Sequence, residues 1–218
     1  MPTRVADGNR RLKLGGLVGL LMLLQAGAGL FALWYSHAAD SESRTRLGAL
    51  AASLDAVRST QASFGVQVQE WKNILLRDRD PALSARHRAS FEAAAGKVQA
   101  ELVRASGTYQ LAAERAPAIQ GAHADLSGRY RREIANADFT TFAGQAAADV
   151  AIRGADRALQ IQIDALADAL AEEHRNEVTQ AAAAAERRYG ELRLVLFVCA
   201  GLGLLATIFL LAIALRRP

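Results

Sequence analysis

Cysteine is all but missing from this sequence. Its one cysteine, Cys199, excludes an intrachain disulfide framework and any paired-thiol metal or haem site. It lies in an apolar run and reads as a small packing residue. Proline is nearly as scarce. Pro2 and Pro218 sit at the ends, so only Pro81 and Pro117 can cut the interior. Aromatic residues make up 6%, although hydrophobic residues reach 51%. The apolar content is therefore mostly Ala, Leu and Val, which suits helical bundles better than sheets. No Gly-rich phosphate loop is present. No Ser/His/Asp or Cys/His constellation can be assembled either. The chain reads as a non-enzyme with no cofactor.

A basic patch on a folded face is also missing. The net charge is +4 and the pI near 9.6. Yet acids slightly outnumber bases between Ser36 and Glu191. The excess lies at the ends, in Arg4, Arg10, Arg11 and Lys13 and in Arg193, Arg216 and Arg217. This distribution excludes a nucleic-acid footprint and fits membrane-topology signals.

Two long uncharged runs stand out. Leu14 to Tyr35 carries no charge and is long enough to cross a hydrocarbon layer of roughly 30 Å as a helix. Trp34 and Tyr35 fall at its outer end, where amphipathic rings favour the interface. A cleaved signal peptide would carry a shorter apolar core, of about 7–15 residues. Leu194 to Leu215 is the second run, bracketed by Arg193 and Arg216. Basic tails put both termini in the cytoplasm and residues 36–191 outside a bacterial inner membrane. The expected organisation is a tail at 1–13, spans at 14–35 and 192–215, an extracytoplasmic domain at 36–191, and a cytoplasmic end at 216–218. Mid-span Gln25, and Gly15 with Gly19, are compatible with helix association and a homodimer.

The middle is periodic. Leu47, Leu50, Leu54, Val57, Gln61, Phe64, Val68, Trp71 and Leu75 follow steps of three and four. That is a heptad seam, either bundle core or dimer interface, with Gln61 its one polar member. Asp80 is a natural N-cap and Pro81 a natural first helical residue. A second helix, with Phe91, Val98 and Leu102, is expected to end at Pro117. A third, with Ile119, His123, Leu126, Tyr130 and Ile134, can be interrupted at 136–138. Gly154 serves as a stop and Asp156 as the next N-cap. Leu159, Ile163, Leu166 and Leu170 mark the last helix. Residues 81–114, 118–152 and 156–191 would each span roughly 50 Å. The expected fold is all-α: an up-down-up-down four-helix bundle, its first and last helices continuous with two transmembrane helices. The junctions near 78–81 and 153–157 would then meet at the membrane-distal tip, with the Pro117 turn facing the membrane.

Two segments carry a resemblance. Gln67-Val68-Gln69-Glu70-Trp71-Lys72-Asn73-Ile74-Leu75-Leu76-Arg77 followed by Asp80-Pro81 is one; Val150-Ala151-Ile152-Arg153-Gly154-Ala155-Asp156-Arg157 is the other. In order and spacing they resemble the sensory half of bacterial methyl-accepting chemotaxis proteins. The resemblance implies a two-span sensor that binds a small solute outside the membrane and passes a helix shift inward to a cytoplasmic signalling partner. In that family the second span leads into a HAMP linker and a long coiled coil with methylation sites. Here only Arg216-Arg217-Pro218 follow the span, so the resemblance covers the sensory half. The same input could serve a histidine kinase or a cyclase. An accessory two-span protein without ligand is the reading from a different class.

The candidate ligand site is the distal tip. Trp71, Lys72, Arg77, Arg153 and Arg157, with Arg79 nearby, could hold a carboxylate or phosphate. The competing reading makes Trp71 core, pairs the arginines with Asp78, Asp80 and Asp156, and leaves Asp80, Pro81, Gly154 and Asp156 as caps and stops. His37, His87, His123 and His174 share no metal-ligand spacing, so no metal is expected. His123 reads as a satisfied core residue. Asp164, Asp168 and Glu172, four apart, read as a solvated helix face rather than acid–base machinery.

Overall fold

In the computed structural model the backbone is described from Thr3 to Leu215, and side chains for residues 15–210 and Ala212. The side chains of Arg4, Arg10, Arg11 and Lys13, and residues 216–218, lie outside the described residues. Five helices follow in order: α1 (Thr3–Arg77), α2 (Pro81–Ser106), α3 (Gln110–Asn136), α4 (Phe142–Ile152) and α5 (Ala155–Leu215). Among the described residues there is no strand. The fold is all-α, as the composition requires.

The helix ends show why the chain turns where it does. Asp80 is extended (φ −96°, ψ 113°), and its carboxylate accepts from the backbone N–H of Ala82 and Leu83. Pro81 opens α2, where its missing N–H costs nothing. α2 ends at Gly107, and Tyr109 starts α3 without a side-chain cap. Pro117 therefore does not break the chain; it lies inside α3. The turn sits at Gly107–Thr108, where the Ser106-Gly107 pair was the better local signal. α3 stops at Asn136 with its last N–H bond from Ala137 to the Glu133 carbonyl. Thr141 then caps α4 by accepting from the Gly144 N–H. Gly154 takes φ +75°, the left-handed turn between α4 and α5. Asp156 is not the cap of α5; it stands in the helix's first turn, where a negative charge favours the positive end of the helix dipole.

The chain divides into two compact units. One comprises Thr45–Val178. Its core gathers Leu50, Leu54, Val57, Phe64, Trp71, Ile74 and Leu75 from α1 against Phe91, Val98 and Leu102 from α2. Ile119, Leu126 and Tyr130 of α3, Ile152 of α4, and Leu159, Ile163, Leu166 and Leu170 of α5 complete it. Most of the heptad seam is thus buried within the chain; Leu47, Gln61 and Val68 are half-buried. Arg46 pairs with Glu177 at 2.6 Å, and Gln61 Nε2 donates to Asp164 Oδ1 at 2.7 Å. Later residues of α1 meet earlier residues of α5, so the two helices are antiparallel here.

The other unit joins the residues up to Arg44 with those from Thr179 onward. Two of the chain's helices are long and apolar enough to span a membrane. Gln25 Nε2 donates to the Cys199 carbonyl at 2.9 Å, so this amide within an apolar stretch finds its partner on the facing helix. Gly203 makes room for it: a Cβ there would fall 1.6 Å from Gln25 Nε2. A Cβ at Gly15 or Gly19 would meet nothing within 4 Å.

Candidate functional site

A groove of about 590 Å³ opens between α1 and α5. From α1 it takes Phe64, Gly65, Val68, Gln69 and Lys72. From the α4–α5 junction and α5 it takes Arg153, Gly154, Asp156, Arg157, Gln160 and Ile161. Lys72, Arg153 and Arg157 therefore line the same groove. Each is exposed. Arg153 Nη2 holds Asp149 Oδ2 at 2.6 Å. Gln160 Nε2 donates to Asp164 Oδ1 at 2.7 Å, the oxygen that also receives Gln61. This carboxylate joins Gln160, which lines the groove, to Gln61 on α1.

Local structure explains the convergence. The left-handed turn at Gly154 reverses the chain into α5 and sets Arg153 on one side of it and Arg157 one helical turn on. Lys72 lies one turn beyond Val68 on α1, facing that junction because the helices run antiparallel. A guanidinium offers planar paired donors and an ammonium a compact charge, so the trio suits an anionic oxygen group.

Trp71 and Arg77 are not part of the groove. Trp71 is 3% exposed and packs its ring 5.0 Å from Tyr130 and 6.3 Å from Phe139, so its core reading holds. Arg77 ends α1 exposed to solvent. The arginine built into the α1–α2 corner is Arg88, which the sequence did not single out. It pairs with both oxygens of Asp78 at 3.0 and 2.9 Å, donates to the Ile134 carbonyl, and lies over the Phe139 ring. Ser84 also donates to Asp78. Arg88 comes to Asp78 only after the Asp80-Pro81 turn forms, so no linear spacing reveals it.

Gln69, Gln160 and Ile161 were likewise not foreseen as lining. Ile161 carried a faint signal, since it lies off the buried stripe of Leu159, Ile163 and Leu166. A smaller opening of about 320 Å³ lies further along the same helix pair, between Asp55 and Arg58 on α1 and His174 and Arg175 on α5. In the acidic row, Asp164 is the internal tie described above, Asp168 is exposed, and Glu172 pairs with Arg175.

Gln67, His123 and Ser127 form a separate buried polar cluster. His123 Nε2–H donates to Gln67 Oε1 at 2.7 Å, and Gln99 Nε2 donates to His123 Nδ1 at 2.7 Å. Gln67 Nε2 in turn donates to Ser127 Oγ at 3.0 Å. Burial, reinforced by the Arg131 charge, pushes the His123 pKa down to about 4. The histidine is neutral and satisfied, and it knits α1, α2 and α3. His87 Nδ1 meets Glu70 Oε2 at 2.6 Å, a second polar link from α2 to α1.

No family model matches the chain, and neither a curated protein nor a solved structure matches it.

Proposed function

We propose that this chain is a transmembrane sensory module of the chemoreceptor kind. It would lie in a bacterial inner membrane with both termini in the cytoplasm and residues 36–191 outside. The proposed form is a homodimer of up-down-up-down bundles whose first and last helices run on into the spans. The observation that carries the reading is the groove. Three cations of different segments converge between α1 and α5, and these helices also hold the apolar stretches. An anionic solute drawn to Lys72, Arg153 and Arg157 would favour one packing of α5 against α1. Small displacements of packed helices are a common form of such switching. The last helix would carry the displacement inward to a cytoplasmic signalling partner. The open faces of Gly15 and Gly19 suit close approach of a second copy.

A thermal-shift series on the full chain in nanodiscs tests this, using small organic anions. An authentic ligand at about a hundred times its dissociation constant adds roughly 2.7 kcal/mol. For a chain of this size that raises the melting midpoint by about 5–10 °C. The same anion should leave an Arg157→Ala chain unshifted. A panel in which no anion moves the wild-type midpoint would sink the sensory reading and favour an accessory protein without ligand.

A further inference from the structure

The groove is polarised along its length. Because α1 and α5 run antiparallel, Lys72 lies opposite the Arg153–Arg157 end, and Phe64 lies opposite Ile161. The lining from Phe64 to Lys72 covers roughly 12 Å of helix at 1.5 Å per residue. One end is cationic, with Gln69 beside it. The other is more apolar, with Val68 and Ile161 over the buried Phe64 and Gln160 beside them, and Ile161 leaves 61% of its surface to water. Gly65 lies at the apolar end, and a Cβ there would meet nothing within 4 Å. The missing side chain keeps the apolar end open.

The charge in the groove is limited. Arg153 is already engaged by Asp149, and Asp156 stands among the lining residues. Lys72 and Arg157 have no ion pair among the described residues. Two open cations can meet one carboxylate. A second anionic group some way along the ligand would fall against Val68 and Ile161, where an unpaired charge is costly to desolvate. A compact polyanion would leave the apolar end unfilled.

We infer that this groove takes an elongated amphipathic carboxylate, with its head between Lys72 and Arg157 and an apolar body along Gly65, Val68 and Ile161. This rests on the sensory reading for the site and adds the class of ligand. The α5 N-terminus beside the head adds its positive end to the two side chains.

Calorimetry on the full chain in zwitterionic nanodiscs tests the class with four probes: 4-phenylbutyrate, butyrate, succinate and inorganic phosphate. We expect 4-phenylbutyrate to bind at least about tenfold tighter than the other three, since its body buries the extra apolar surface. Arg157→Ala should weaken it about tenfold. Gly65→Leu should abolish it while leaving the melting midpoint unchanged or raised, because leucine favours helix over glycine and enters open space. Succinate or phosphate binding as tightly as 4-phenylbutyrate would overturn the ligand class and leave the sensory reading standing. Silence from all four probes, matched by silence in the wider anion panel, would remove both. Binding of 4-phenylbutyrate that survives Gly65→Leu would place it in the lipid or elsewhere on the protein and overturn the assignment.

Discussion

At the scale of single residues, His123 gives the sharpest expectation. Its Nε2 proton is committed to Gln67, and its Nδ1 receives Gln99. A second proton on Nδ1 would confront the Gln99 N–H groups inside the core, with the Arg131 cation nearby and paired to Glu92. The folded pKa of about 4 lies below the ordinary value of 6.5. On acidification the unfolded chain therefore takes up the proton first. The stability His123 contributes is complete above about pH 6.5 and is lost as pH falls toward 4. One proton sets a slope of at most roughly 1.4 kcal/mol per pH unit. Urea midpoints measured from pH 4 to 8 should be flat at the top and fall through that window. His123→Gln keeps an amide for bonding and removes the titration, so its profile should be flatter over the window; an equal fall in both chains would assign the effect to other groups. The sequence marks His123 as a core residue because it sits on an apolar stripe. Its partners on α1 and α2 depend on the register between helices, which no stripe specifies.

At the scale of helices, ends and breaks decide where the groove's residues arrive. Asp80→Ala removes the acceptor for two backbone N–H groups and should cost about 1 kcal/mol in chemical denaturation. Gly154→Ala forces a Cβ into the left-handed region and should cost about 1–2 kcal/mol. Pro117 provides the opposite sign. Within α3 it withholds an N–H from the carbonyl four residues back, at Ala113. Pro117→Ala should therefore stabilise the chain by about 2 kcal/mol, the helix-interior penalty of proline less its restriction of the unfolded chain. A neutral or destabilising result would argue that proline's ring packs usefully there. These positions also show how much of the fold a sequence displays. The seam from Leu50 to Leu75, the Asp80-Pro81 start and the Gly154 stop are local patterns, and each lies where periodicity and capping chemistry put it. Pro117 misleads because tertiary packing around Ala112, Ala116 and Ile119 tolerates a proline near the start of a helix. The groove was legible in part for the same reason. Lys72, Arg153 and Arg157 follow from helix order, whereas Trp71 and Arg77 needed the direction of each side chain around its helix.

At the scale of the whole molecule, the proposal puts Thr45–Val178 on the outer side of a membrane. The single cysteine makes this directly testable. Cys199→Ala yields a thiol-free chain, and Lys97→Cys then places one thiol on an exposed face of α2. If residues 36–191 are extracytoplasmic, a membrane-impermeant maleimide should label that thiol in intact spheroplasts as fully as in lysed ones. Labelling only after lysis would put the groove in the cytoplasm and end the proposal of an external solute. The substitution is mild: Lys97 forms no ion pair among the described residues, and cysteine there leaves the Phe91, Val98 and Leu102 core untouched. The two apolar stretches carry a test of their own. Gln25 is costly in hydrocarbon unless its amide is bonded, and its bond to the Cys199 carbonyl beside the space left by Gly203 meets that need. Gly203→Ala pushes the Gln25 amide aside, and Gln25→Leu removes it. If the two helices pair in a bilayer through this contact, both changes together should weaken the pairing no more than either alone, and a double-mutant cycle on disulfide-free chains should show that non-additivity.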